Sequence, residues 1–261
     1  MMNGMLAMLS IAAGVTWAQT TLTMPQAGFM QDTTNSFRPV FGIAGNFLPG
    51  DPAVVGVISA AYSGSYGLVK TASAVLAVNK DGSLTATQDV SDGPALFAFR
   101  RTGEPALAYL APANLLLVWA GAAFEAVPFD PTTLTASAIL SIAVTPSRRA
   151  AMIVQRDDGL WDIRIELATG TIEAQTALPG VTAPLLMLSS GELVYGDTAG
   201  IVVRDSDGSE RHISAQLPAS FVLQQMGDGW VQLRDLDGGR QFAIRITQNR
   251  EQYYQLPESG Q

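Results

Sequence analysis

The chain has 261 residues, 48% of them apolar and 15% charged, which is ample for one large buried domain and too apolar for disorder. Its formal net charge is −8, and its adjacent basic pairs, Arg100-Arg101 and Arg148-Arg149, sit beside expected turns. A nucleic-acid partner needs clustered Lys and Arg to neutralise phosphates, so that class is excluded. There is no cysteine and one histidine, His212. Disulfides, thiolate nucleophiles, Cys-ligated zinc, haem attachment, a cysteine lipid anchor and sites built on several histidines all fall away.

Residues 1–18 read as a signal peptide. The apolar run at 5–15 (MLAMLSIAAGV) has the length of a signal core and is too short to span a bilayer, and Ala18 offers a small residue for cleavage. The expected destination is periplasmic or extracellular, with nothing embedded in a membrane. Residues 19–36, rich in Thr, Gln and Met and without period, read as a loosely ordered leader. The domain proper is expected over 37–257, followed by a tail at 258–261. The segment 37–47 (FRPVFGIAGNF) reads as a strand completing a neighbouring blade or a piece lying across one end, closed off by Pro49-Gly50-Asp51-Pro52.

From residue 57 onward, units of about 40 residues recur, each with four short strands. The clearest occupies 138–178. An apolar strand (AILSIAV) is followed by a second (RAAMIVQ), Asp157-Asp158-Gly159, an alternating strand (LWDIRIEL), Ala168-Thr169-Gly170 and a last strand. Asp-Gly and Thr-Gly between such runs are hairpin signals, because glycine takes the positive φ of a tight turn. The other units place strands at 57–62, 66–70, 74–79 and 84–88, then at 95–100, 105–110, 114–120 and 123–128. Beyond the clearest unit come 184–189, 192–197, 201–205 and 209–215, then 220–225, 229–234, 241–247 and 251–256. Recurring four-strand units predict an all-β fold, a β-propeller of five four-stranded blades. Six blades with one incomplete, and a β-sandwich, are the alternatives.

Inner strands, sandwiched by neighbours, should be continuously apolar, whereas outer strands should alternate. On that register Ile163→Asp should unfold a blade and Arg164→Asp should be tolerated. The unit at 138–178 resembles bacterial YVTN-type and WD-repeat-like propeller blades. Ile142-Ala143-Val144-Thr145-Pro146, the apolar strand at 150–154, Asp158-Gly159 and Thr169-Gly170 carry the resemblance. It implies the fold and is silent on function. Trp161-Asp162 opens a strand and occurs once, and no Gly-His partner is present, so the eukaryotic WD-repeat family is not assigned.

Glycoside hydrolysis on a propeller would need paired carboxylates facing the channel. The expected inner strands contain no Asp or Glu, and their polar residues are Ser59, Tyr62, Arg100, Ser141, Ser189, Gln224 and Gln225. Asp205-Ser206-Asp207-Gly208 and Asp235-Leu236-Asp237-Gly238 have the alternating carboxylates of a calcium loop, with Glu210 able to complete only the first. They fall in non-equivalent hairpins, so ordinary turns are expected. His212 lies between polar neighbours on an outer strand, and no nucleophile elbow, P-loop or dinucleotide fingerprint is present. Trp119, Trp161, Trp230, Tyr253 and Tyr254 could form a rim; Trp161 and Trp230 are expected to fill spaces between blades, and one of Tyr253 and Tyr254 to face outward.

No catalytic, cofactor-binding or metal residue is therefore assigned, and no cofactor is expected. The reading is an exported, non-catalytic propeller that binds a protein, peptide or glycan through its loops or channel mouth. The alternative is a small hydrolase or lyase using loop carboxylates.

Overall fold

The computed structural model describes residues 24–145, 147 and 149–257. The expected signal at 1–18 and tail at 258–261 lie outside the described residues, as does Pro146 of the turn motif.

Six four-stranded antiparallel sheets stand in a propeller ring. The first holds β1 (Gln26–Gln31), β2 (Ser36–Ile43), β3 (Asn46–Pro49) and β4 (Val54–Val55), with β2 paired to the other three. The second holds β5 (Ser59–Tyr62), β6 (Tyr66–Lys70), β7 (Ala74–Asn79) and β8 (Leu84–Asp89). The third holds β9 (Ala95–Phe99), β10 (Pro105–Leu110), β11 (Leu115–Trp119) and β12 (Phe124–Ala126). After a short 3-10 turn at Pro131–Leu134 comes the fourth, β13 (Ala138–Val144), β14 (Arg149–Arg156), β15 (Gly159–Glu166) and β16 (Ile172–Ala177). The fifth is β17 (Leu185–Met187), β18 (Leu193–Gly196), β19 (Gly200–Arg204) and β20 (Glu210–Ser214). The sixth is β21 (Phe221–Gly227), β22 (Trp230–Asp235), β23 (Gln241–Arg245) and β24 (Gln252–Gln255).

The five expected repeats are sheets two to six, with ends displaced by about two residues at most. The expected count of five is corrected to six. The extra sheet is built from 26–55 and absorbs most of the segment read as a loosely ordered leader. Its first strand hid because β1 is covered on both faces: Phe29, Met30 and Gln31 are all buried, so the alternation that marks a strand is absent. The segment 37–47 forms β2 and β3, a hairpin of this sheet.

Six apolar clusters fill the six seams between adjacent sheets, one cluster to a seam. Strand β14 shows how. Ala150, Met152 and Val154 enter the seam with the third sheet, while Ala151 and Ile153 enter the seam with the fifth. A period of two therefore delivers side chains to two different cores rather than to core and solvent.

The same geometry revises β15. Its Ile163 and Ile165 are buried as expected, but Asp162 on the other face is 9% exposed and its Oδ2 accepts from Arg164 Nε and Nη2 at 3.0 and 2.5 Å. Burial pushes the Asp162 carboxyl up, against the pull of Arg164. Arg164→Asp, expected to be tolerated, would instead set a second carboxylate beside a buried one.

Inner strands touch in sequence around the ring, β21 meets β5 directly, and β1 lies against both of them. Yet β1 runs against both neighbours. Its last residue, Gln31, donates from Nε2 to the Val57 carbonyl just before β5 begins, while Phe29 packs at a tilt against Tyr62 at the end of β5. On the other side, Ala27 and Gly28 meet Gly227 and Met226 at the end of β21. Among the described residues no strand is shared between the first and last sheets. Gln232 on β22 spans the seam: its Oε1 accepts from the Gln31 N–H at 3.1 Å and Gln224 Nε2 at 2.5 Å. Its Nε2 donates to the Gln31 carbonyl and to Gln241 Oε1, both at 2.9 Å. All four hydrogen-bonding positions of this fully buried amide are used.

Gln232→Leu keeps the volume and orphans the Gln31 N–H and C=O. At about 1–3 kcal/mol per buried unpaired group, it should cost on the order of 2–6 kcal/mol in a urea-unfolding measurement. Gly28→Ala should be worse, since a Cβ there would lie 1.8 Å from the Met226 carbonyl oxygen.

Candidate functional site

The inner strands enclose a central channel with a cavity of about 420 Å³. Its wall is made by β5, β9, β13, β17 and β21; the first sheet reaches it only through Gln31. Side chains half open to it are mostly apolar: Ile58, Leu96, Phe97, Ile139, Leu140, Leu186, Val222 and Leu223. No Asp or Glu is among the lining residues, so no pair of carboxylates flanks a position where a scissile bond could sit.

Five of the inner-strand polar residues named from the sequence meet here: Ser59, Ser141, Ser189, Gln224 and Gln225. Two of them tie blades together. Ser59 Oγ accepts from the Ala95 N–H at 3.2 Å and Ser141 Oγ from the Met187 N–H at 2.8 Å, each across a seam. Gln224 is partly spent on Gln232. Tyr62 turns away into the seam beside Phe29, its hydroxyl donates to the Gly64 carbonyl at 2.9 Å, and burial pushes its pKa up to about 12. Arg100 leaves the channel for the β9–β10 turn.

Two channel residues escaped the sequence reading. Gln31 lay in the segment read as leader. Arg234 lies on β22, a second strand, opposite Val222 in the ladder. The available signal was the pattern on β22, where Trp230, Gln232 and Arg234 alternate with buried Val231 and Leu233. A polar face on a strand covered from both sides needs an explanation. Gln232 closes the ring; Arg234 opens into the channel.

The D-x-D-G segments are turns in non-equivalent hairpins, the first joining β19 to β20 and the second β22 to β23. Asp207 Oδ1 accepts from the Ser209 N–H and hydroxyl, and these bonds hold its carboxyl below the usual range. Asp235 accepts from the Gly238 and Asp237 N–H groups and from Arg240, and its carboxyl is likewise lowered. Among the described residues no group of three or more His, Asp or Glu is placed to hold a metal. His212 is half exposed on β20, with Nδ1 3.7 Å from Asp197 Oδ2.

Aromatic residues serve the seams. Trp230 meets Phe47 of the first sheet edge-on at 5.5 Å, as expected of a space-filling residue. Trp161 packs at the margin of the third–fourth seam under the Arg156 guanidinium. Tyr253 and Tyr254 correct the expectation that one faces outward. Tyr253 stacks on Phe242 in the fifth–sixth seam, and Tyr254 joins Phe47 and Trp230 in the closing seam. An outermost strand still has a neighbour on each side.

Outside the channel, one arginine gathers several carboxylates. Arg211 on β20 donates to Asp205 Oδ1 at 3.0 Å, Glu192 Oε1 at 2.7 Å, Glu251 Oε1 at 2.8 Å and the Ile246 carbonyl at 2.9 Å, joining sheets five and six.

No family model matches the chain, and none of the curated proteins matches it. Solved structures do. The crystal structure of a nidogen/laminin complex matches with a TM-score of 0.54 at 13% identity, over 88% of this chain and 92% of that one. TolB from Acinetobacter baumannii matches at 0.48 and 11% identity, over 90% and 67% of the two chains. The β-propeller domain of Cps50 (Swd1) from Myceliophteria thermophila matches at 0.46 and 12% identity, over 93% and 90%. The chain is a β-propeller. At such identities the likeness reaches the fold and nothing finer. Among the described residues no helix is long and apolar enough to cross a membrane.

Arg211→Gln should strand three carboxylates and cost about 1–3 kcal/mol at neutral pH. The bond from Arg211 holds the Glu251 carboxyl below its usual value, so that stabilisation is present above the unfolded-state pKa and lost as pH falls through the depressed one. The stability gap between wild type and variant should therefore narrow on acidification, measured by urea unfolding across the carboxylate range.

Proposed function

We propose that the chain is an exported, non-catalytic β-propeller that binds a protein, peptide or glycan partner at the mouth of its central channel. The observation that carries this is the channel wall: apolar residues with Ser and Gln amid them, no carboxylate among the lining residues, and space for a ligand's side chain. A mostly apolar cavity with a few polar groups is the general form of a binding site. The apolar run at 5–15 and the small residue at 18 support export. One of the matching propellers was solved as a complex of two proteins, nidogen and laminin, which supports the mode of action without naming a partner.

Two measurements test it. The secreted chain should begin at Gln19 by mass spectrometry; retention of residues 1–18 would overturn the export reading. Leu223→Trp, which fills the channel from β21, should melt close to the wild type. In a pull-down from extract of the native host it should lose the partner that wild type retains. An identical set of captured molecules from both would remove the channel as the site.

A further inference from the structure

Arg234 is the only charged side chain among the residues that line the channel. Several other arginines of the fold are engaged with carboxylates: Arg38 with Asp32, Arg164 with Asp162, Arg211 with three carboxylates, Arg240 with Asp235. Arg234 has no acceptor among the described residues, and its Nε is buried without a hydrogen-bond partner. It is half-buried, and desolvation lowers its pKa. A desolvated guanidinium without a counter-ion is a cost to the fold, repaid when an anion arrives. In a chain of net charge −8, this wall offers an anion one favourable place.

The surroundings define the anion. A single planar fork matches one carboxylate with two parallel N–H···O bonds, whereas a phosphate dianion would call for further cations. Val222 lies directly across the ladder from Arg234, with Leu223 next along β21 and Leu186 also on the wall. Gln224 and Gln225 follow on the same strand, their amides suited to peptide groups. Carboxylate, then apolar side chain, then amide is the chemistry of the last residues of a peptide.

We propose that the channel takes the C-terminal end of a peptide whose last residue is apolar, with its carboxylate on the Arg234 guanidinium. This rests on the channel being the binding site. The carboxylate enters at the mouth where β5, β9, β13, β17 and β21 begin, because Arg234 pairs with the start of β21. The last side chain lies on the apolar wall below it.

The test is calorimetric titration of the protein with acetyl-Ala-Ala-Leu as the free acid, with the same peptide as its C-terminal amide, and with hexanoate. The free acid should bind wild type at least about tenfold more tightly than the amide, a difference of about 1.4 kcal/mol. It should also bind more tightly than hexanoate. Arg234→Gln, first checked for an unchanged melt, should bind acid and amide alike, while Arg234→Lys should keep part of the preference. Should Arg234→Gln not fold, the wild type decides: binding of the acid should weaken with salt and that of the amide should not. Equal binding of acid and amide to wild type, absence of binding by either, or a preference that survives Arg234→Gln would overturn the inference. Hexanoate binding as tightly as the peptide would overturn it in favour of a small apolar acid. Binding lost in Leu223→Trp but indifferent to the terminal charge would overturn this inference and leave the channel reading standing. Peptide binding that survives Leu223→Trp would remove the channel reading itself.

Discussion

This molecule depends on joining first and last sheets that, among the described residues, have no strand in common. Strands β21 and β5 already meet at the channel wall, and the first sheet packs against both. The join is made by a reversed strand, β1, held against the sixth sheet by the amide of Gln232 and by the close approach of Gly28 and Gly227 to facing backbone. A side-chain amide can do this because it carries the same donors and acceptors as the main chain, and here each of them is used. Without that join, both faces of the first and last sheets would not be covered.

The distribution of apolar residues follows from the same constraint. There is no single core; there are six, one in each seam. A strand in such a ring buries both faces, so alternation sorts residues between two cores instead of between core and water. That is why Asp162 is buried with Arg164 beside it, and why Tyr253 and Tyr254, pointing in opposite directions, are both packed.

Most of this was legible in the sequence. Five repeats could be read because Asp-Gly and Thr-Gly turns separate strands at regular spacing, and turn chemistry is local. Gly159, at φ +127°, is one such position. The first sheet was not legible, because its hairpins lack the repeat's turns and β1 owes its burial to a sheet some 200 residues away, as the bond from Gln31 to Gln232 shows. The channel was legible in part. Ser59, Ser141, Ser189, Gln224 and Gln225 could be placed on inner strands by register alone. Arg234 could not, because it reaches the channel from a second strand, a matter of tertiary geometry rather than of position in a repeat.

The closing seam carries one further consequence. A propeller that completes its last blade with a strand from the other end of the chain can open only by tearing main-chain ladders. Here the join is made of side chains, and its apolar cluster, centred on Met30, Val40, Phe47 and Met226, is the smallest of the six. Of the six seams it buries the fewest apolar side chains, and its cohesion leans correspondingly on the Gln232 amide. Gln31 stands on that seam and on the channel wall at once. Strands β21 and β5 meet beside it, so the bore wall is continuous where the closing seam reaches the channel.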